Sequence, residues 1–310
     1  MIHVQNYING TFRNSTNKNC INNLNPATGD LIATIPKSDF NDIDLAVNAA
    51  KKAFPLWSNL TINERANWLK KIQNQFDETG IVSLENFVLP ESMDNIKKES
   101  LSKLNHAYFN PQEHNVYLKS EDEMYSLEHP RNRKVKSSKG CITDDLINSL
   151  SPLKTIYNSS KFIDFISFVT KQDSIHPYKD KLSSINIHYA RRGEELGWHF
   201  DNSTFAITLM INEVSRGGEF EYTEPLRGSL INQAKEFENI NNVLKGKTEI
   251  KKISMKSGGL LLFNGKNSMH RVTKVNCDEI RMLAVLAYND KPGVSLSKSA
   301  QMTFYGRTDG

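Results

Sequence analysis

Beyond residue 183 the chain breaks into short runs of apolar residues interleaved with polar ones and separated by glycine pairs. A period of two marks strands that turn one face to a core. The runs 185–190, 205–212, 218–222, 259–263, 269–275 and 281–288 read as strands, with Gly217-Gly218 and Gly258-Gly259 as punctuation. A helical stretch at about 230–244 interrupts them. Many short strands with regular turns predict a β-sandwich or jelly roll.

Upstream the pattern differs. Residues 6–12 form a short strand with a Gly turn, and the turn at 25–30 leads into the apolar strand 31–36. Ile43, Val47, Ala50 and Phe54 recur at helical spacing, with Pro55 as the stop. Thr61 and Glu64 have the spacing of a capping box for a second helix through Trp68, Leu69 and Ile72. A strand at 80–84 follows, then an amphipathic helix over 93–109 with Ile96, Leu101 and Leu104 toward a core. Two further helical stretches, 144–157 and 161–171, are expected, the first interrupted by Pro152. The expected division is a unit of residues 1–78 and a larger one of 79–310.

Composition narrows the class. With 38% hydrophobic and 24% charged residues, the chain is expected to fold rather than remain disordered. It has no run of about 18 apolar residues, so no membrane span is expected. Its start lacks the basic-then-apolar pattern of a secretory leader. Cys20, Cys141 and Cys277 show no CxxC spacing, so neither a disulfide framework nor a zinc knuckle is expected, and a cytoplasmic location fits. The net charge of +4 is spread along the chain, and the basic run 131–136 reads as a solvated loop. No nucleic-acid partner is expected.

The candidate chemistry lies at Trp198-His199-Phe200-Asp201. Residues i and i+2 of a strand share a face, so His199 and Asp201 can grip one metal ion together. His270, from a facing strand, would close the site, and Arg281 opens the next apolar strand. Two imidazoles and one carboxylate suit Fe(II) and leave three positions open.

Two resemblances sharpen this reading. His199, Asp201, His270 and Arg281, with the strand 259–263, resemble the 2-oxoglutarate/Fe(II) dioxygenases over roughly residues 76–310. That resemblance implies an α+β fold built on a double-stranded β-helix (a cupin-like jelly roll) with flanking helices. It implies an iron triad of His199, Asp201 and His270, with Arg281 on the distal carboxylate of 2-oxoglutarate and Tyr189 as a further hydrogen-bonding candidate. O2 is the second co-substrate.

More narrowly, WHFDNSTFAITLMIN (198–212), GGEFEY (217–222), LLLFNGKNSMHRVTKV (260–275), RMLAVLAYNDKPG (281–293) and FYGR (304–307) resemble the bacterial free-amino-acid oxygenases. That family includes radical halogenases and their hydroxylase relatives. In its halogenases a Gly replaces the carboxylate ligand; here the position is Asp201, which implies hydroxylation. The implied reaction decarboxylates 2-oxoglutarate to succinate and CO2 and hydroxylates an unactivated C–H bond of a free, basic amino acid. Asn202, Glu194, Glu195, Tyr222 and Arg307 are candidate substrate residues. The competing readings are an oxygenase acting on a protein side chain and a non-catalytic jelly-roll binding module; a homo-oligomer is compatible with each.

Separately, NYINGTF (6–12), NPATGDLIATIP (25–36), AVNAAKKAF (46–54) and ERANWLKKI (64–72) resemble the extreme N-terminus of aldehyde dehydrogenases. No nucleotide-binding Gly motif or nucleophilic cysteine of that family follows. A non-catalytic appendage of β and α elements is implied.

Overall fold

The computed structural model describes residues 2–228 and 231–309. The chain divides into two compact units at Leu69/Lys70.

In the first unit, the strand Leu31–Pro36 lies between Ile2–His3 and Cys20–Leu24, and a separate hairpin pairs Asn6–Ile8 with Thr11–Arg13. Cys20 opens a strand and is exposed. The first helix, Phe40–Ser58, contains Pro55 instead of ending at it. Proline removes one N–H from the helix ladder but keeps its carbonyl, which accepts from the C-cap Asn59 amide at 3.3 Å. The second helix is Ile62–Thr79, and the Thr61–Glu64 capping box is formed in both directions (2.7 and 3.2 Å).

The second unit is a mixture of helices and two large antiparallel sheets. The larger has seven strands in the order Ile81–Leu84, Leu260–Phe263, Ala206–Asn212, Arg281–Leu286, Ile185–Ala190, Gly140–Ile142 and Tyr108–Phe109. The smaller has six, in the order Lys251–Ile253, Phe220–Tyr222, His270–Val272, Leu196–His199, Lys134–Ser137 and Gln112–Asn115. From residue 185 onward the chain passes repeatedly from one sheet to the other.

Alternation along the strands sorts the apolar side chains into separate cores. Ile185, Ile187, Tyr189, Leu209, Leu260, Leu262 and Ala284 turn to one side of the larger sheet, where Ile96, Leu153, Phe162 and Ile166 of the helices meet them. Leu261, Phe263, Met210 and Leu283 pack with Phe220 and Val285 in a second core. Trp198, Phe200 and Met269 pack with Ile240 and Val243 of the helix Gln233–Leu244. Leu230, the expected start of that helix, lies outside the described residues.

Local differences from the sequence reading have identifiable causes. The helix expected over 93–109 is Pro90–Lys103, followed by a short 3-10 turn and the strand Tyr108–Phe109. Leu101 is 45% exposed, whereas Ile96 is fully buried. Pro152 starts the helix Pro152–Tyr157, because a first-turn proline sacrifices no helical hydrogen bond. Part of the basic run forms the strand Lys134–Ser137, paired with Gln112–Asn115.

Candidate metal and cosubstrate site

The strands Leu196–His199 and His270–Val272 are antiparallel neighbours, and His199 stands directly opposite His270 in the register. The ring centroids are 4.1 Å apart. Each Nδ1 faces a backbone carbonyl, that of Gly197 at 2.8 Å and that of Ser268 at 3.3 Å. With the proton on Nδ1 donated to those carbonyls, both Nε2 lone pairs are free to turn to a common point. Asp201 completes the group: its Oδ1 lies 3.7 Å from His199 Nε2 and 3.5 Å from His270 Nε2.

These separations suit three ligands around one ion, and the ligand atoms of the trio all lie within 4.8 Å of one another. Asp201 Oδ2 is buried and has no hydrogen-bond partner. A lone pair left unsatisfied in this way costs free energy, which a metal ion between carboxylate and imidazoles would recover. The donor set therefore fits an ion such as Fe(II).

Electrostatics agree. Burial, and then the neighbouring His270, push the His199 imidazole down to about 3, so at neutral pH it is an uncharged ligand. Burial alone would raise Asp201, but His270 and His199 outweigh it and hold the carboxyl below its ordinary value.

Asp201 is seated by backbone contacts. Its amide donates to the Gly265 carbonyl at 2.9 Å. A Cβ on Gly265 would fall on the Asp201 carboxylate and 2.9 Å from His270 Cε1, so only glycine fits.

Arg281 opens the strand Arg281–Leu286 and is buried. Its Nε donates to the Gly218 carbonyl at 2.9 Å. Gly218 adopts a positive φ of 65°, and a Cβ there would crowd Arg281 Cδ at 2.9 Å. Among the described residues no carboxylate forms an ion pair with Arg281. Burial alone lowers its guanidinium to about 10. A cavity of about 150 Å³ joins Arg281 to His199, Asp201 and His270. Its walls include Leu261, Phe263, Leu283 and Val285, and also Thr208, whose buried hydroxyl has no partner.

A second cavity of about 250 Å³ shares His188, Leu196, His199, Asp201 and Val285 with the first. It extends past Lys139 and Gln112 to Phe304 and Tyr305.

The other residues expected at the site are placed as follows. Tyr189 lies on the face of its strand opposite His188, and its hydroxyl donates to the Ser100 carbonyl at 2.8 Å within the helix-covered core. The period-two geometry thus turns Tyr189 away from the cavities' centre and His188 toward it. Glu194 is bound to Arg191 by three hydrogen bonds of 2.7 to 3.1 Å. Glu195 borders a small cavity of about 30 Å³ beside Lys139 and Arg281, and its carboxylate lies 3.7 Å from Lys274. Tyr222 stands opposite His270 in the register, its ring 5.7 Å from that of Phe263. Asn202 is exposed. Arg307 is committed to Asp145 at 2.7 and 2.8 Å and to Thr143 at 2.6 Å. Trp198 packs beside the metal strand, with Arg271 over its ring at 4.8 Å.

Sequence reasoning passed over Thr208, Lys139 and His188. For His188 the signal was present: in INIHYA (185–190) the apolar residues at 185, 187 and 189 leave 186, 188 and 190 on the other face.

A family model described as Halogenase D matches residues 64–303, well over half of the chain. The chain belongs to the Halogenase D family. An aldehyde dehydrogenase family model matches residues 12–88. Two curated relatives match the same end: malonate-semialdehyde dehydrogenase 1 of Oceanobacillus iheyensis, 42% identical over 89 residues, and glutarate-semialdehyde dehydrogenase of Pseudomonas aeruginosa, 37% identical over 86 residues. The matches cover 27% and 26% of this chain but only 18% of each relative, so the chain spans under a fifth of the length of these dehydrogenases.

Among solved structures, the non-heme alpha-ketoglutarate-dependent epimerase SnoN from nogalamycin biosynthesis is similar, with a TM-score of 0.51 and 10% identity, covering 73% of this chain and 84% of that one. HygX from Streptomyces hygroscopicus, solved with nickel, 2-oxoglutarate and hygromycin B bound, has a TM-score of 0.50 and 13% identity, covering 77% and 96%. At such identities the likeness establishes the fold alone, one shared with SnoN and HygX. Among the described residues no helix is long and apolar enough to cross a membrane.

Proposed function

We propose that the second unit of this Halogenase D family member is an Fe(II)- and 2-oxoglutarate-dependent oxygenase. It hydroxylates an unactivated C–H bond of a small molecule and releases succinate and CO2. The observation that carries the reading is one cavity holding a His-Asp-His trio, with an orphaned carboxylate oxygen, and a buried guanidinium without a carboxylate partner. A buried unpaired cation is costly, and a carboxylate able to take two parallel N–H bonds is its natural complement.

In this reading His199, Asp201 and His270 hold the iron, which supplies O2 activation when bound. Arg281 binds the distal carboxylate of 2-oxoglutarate, with Thr208 placed to donate its free hydroxyl. The apolar wall of Leu261, Phe263, Leu283 and Val285 excludes water, which strengthens those charge contacts. In this reading the two sheets are taken as the double-stranded β-helix that the resemblance implies.

The outcome is hydroxylation, not halogenation, because Asp201 fills the ligand position that is Gly in the halogenases of the resembling family. A free amino acid is the proposed substrate, in the cytoplasm. The aldehyde-dehydrogenase-like unit takes no part in the chemistry, since the trio and Arg281 all belong to the second unit.

The test is anaerobic loading with Fe(II), then 2-oxoglutarate, O2 and a panel of free amino acids, with detection of succinate and of a product one oxygen heavier. If no candidate produces succinate, or His199→Ala turns over as fast as wild type, the proposal is wrong.

A further inference from the structure

We propose that Lys139 makes the larger cavity a receptor for a substrate of net charge minus one, carrying a carboxylate and an uncharged or acidic body, and not a basic amino acid. The inference rests on the oxygenase reading above and narrows its substrate class.

Lys139 sits between the strands Lys134–Ser137 and Gly140–Ile142, in the wall of the cavity of about 250 Å³. Its Nζ lies 2.9 Å from His188 Nε2. An ammonium carries three donor hydrogens and no acceptor, so this contact uses one of them. His188 is not a counter-charge: burial, followed by Lys139 and Arg281, keeps the imidazole neutral. Among the described residues no carboxylate pairs with Lys139, and removal from water lowers its ammonium. An anion at Nζ would relieve that penalty.

The rest of the lining points the same way. Among the described residues Asp201 is the only acid on this cavity and Lys139 the only Lys or Arg. Asp201 is already committed to the metal. With Fe(II), the Asp201 carboxylate, the 2-oxoglutarate dianion and Arg281 in place, the charges cancel, and Lys139 is left as one unbalanced positive charge. A monoanion neutralises it. A lysine-like substrate would place a second cation beside it with no free acid on this cavity to receive it, since Glu195 borders the small cavity of about 30 Å³ and lies beside Lys274. Leu196 and Val285 line both cavities, so the body of such an anion lies against uncharged walls next to the trio.

The experiment uses the full chain, loaded anaerobically with Fe(II) and 2-oxoglutarate, and titrates six-carbon probes by calorimetry. They are hexanoate and L-2-aminoadipate as net monoanions, hexanamide and L-norleucine as net neutral compounds, and L-lysine as a net cation. The two anions are expected to bind, with hexanamide, L-norleucine and lysine at least about tenfold weaker, the scale of one charge-assisted hydrogen bond. Lys139→Met is expected to erase the preference and Lys139→Arg to keep it, both with unchanged affinity for 2-oxoglutarate. Lysine binding as tightly as the anions, no anion binding, or an anion preference that survives Lys139→Met would overturn the proposal. So would Lys139→Met weakening 2-oxoglutarate as much as Arg281→Met does. Wild-type protein that takes up no 2-oxoglutarate would overturn the oxygenase reading and this one with it, whereas normal uptake without anion preference overturns only this one.

Discussion

Gly265 and Asp201 are fitted to each other: the Asp201 amide donates to the Gly265 carbonyl at 2.9 Å, and the space where a Gly265 side chain would begin is filled by the Asp201 carboxylate. Gly265→Ala must therefore push the carboxylate off its line to His199 and His270. A loss of metal affinity of about 10- to 100-fold is expected, the range for disturbing a residue that orients a ligand. Cobalt or iron titration followed by absorbance checks it; unchanged affinity would show that the carboxylate is not held by this contact.

Arg281→Met removes the guanidinium and keeps much of the side-chain volume. The KM for 2-oxoglutarate should rise about 10- to 100-fold, since a hydrogen bond to a charged group is worth about 1.5–3 kcal/mol. Thr208→Val should raise it by about tenfold or less, the neutral donor being weaker. Metal binding should survive both changes, which separates a cosubstrate defect from misfolding.

Asp201 tests the reaction type. In chloride-containing buffer, wild type should yield oxygen-inserted product and no chlorinated product by mass spectrometry. Asp201→Ala should lose at least about 100-fold in hydroxylation, because a metal ligand matters more than the neighbours that orient it.

His188 ties stability to pH. Its folded-state pKa is well below 6.5, through burial first and then Lys139, Arg281 and His199. The unfolded chain therefore takes up a proton that the folded one refuses. This contribution is fully present above about pH 6.5 and is lost as the pH falls below it. Urea midpoints of metal-free protein between pH 8 and pH 5 should fall more steeply for wild type than for His188→Asn. Equal slopes would mean that His188 is charged in the folded state.

Truncation separates the two units. Residues 1–61 contain none of the trio, nor Arg281, so deleting them should leave metal affinity and 2-oxoglutarate turnover unchanged. Deleting residues 1–78 also removes Phe76 and Ile72, which pack into the core under the larger sheet. Loss of a buried Phe costs about 3–5 kcal/mol, so this longer deletion should lower the thermal midpoint markedly. Native mass measured on the same samples reports whether residues 1–61 also mediate self-association.

The sequence alone determined the features that are local or periodic. The Thr61–Glu64 capping box, the strand 185–190 and most of the strand expected over 281–288 follow from spacing, because a strand or helix repeats at fixed intervals, whereas Asp201 lies past the end of the strand Leu196–His199. Elements governed by distant partners were less legible. The strand Lys134–Ser137 looks like a charged loop until Gln112–Asn115 lies beside it, and Pro152 reads as a break until the chain before it proves to hold only the 3-10 turn Asp144–Leu146.

Tertiary structure decided what the cavities contain. No spacing rule brings Lys139 to His188 or turns the Thr208 hydroxyl toward the cavity of Arg281, since these meetings depend on which strands become neighbours. The choice between Tyr189 and His188 is a single residue of strand phase. A half-period of two separates a side chain in a helix-covered core from one beside the metal site, and only the packing of the sheet sets that phase.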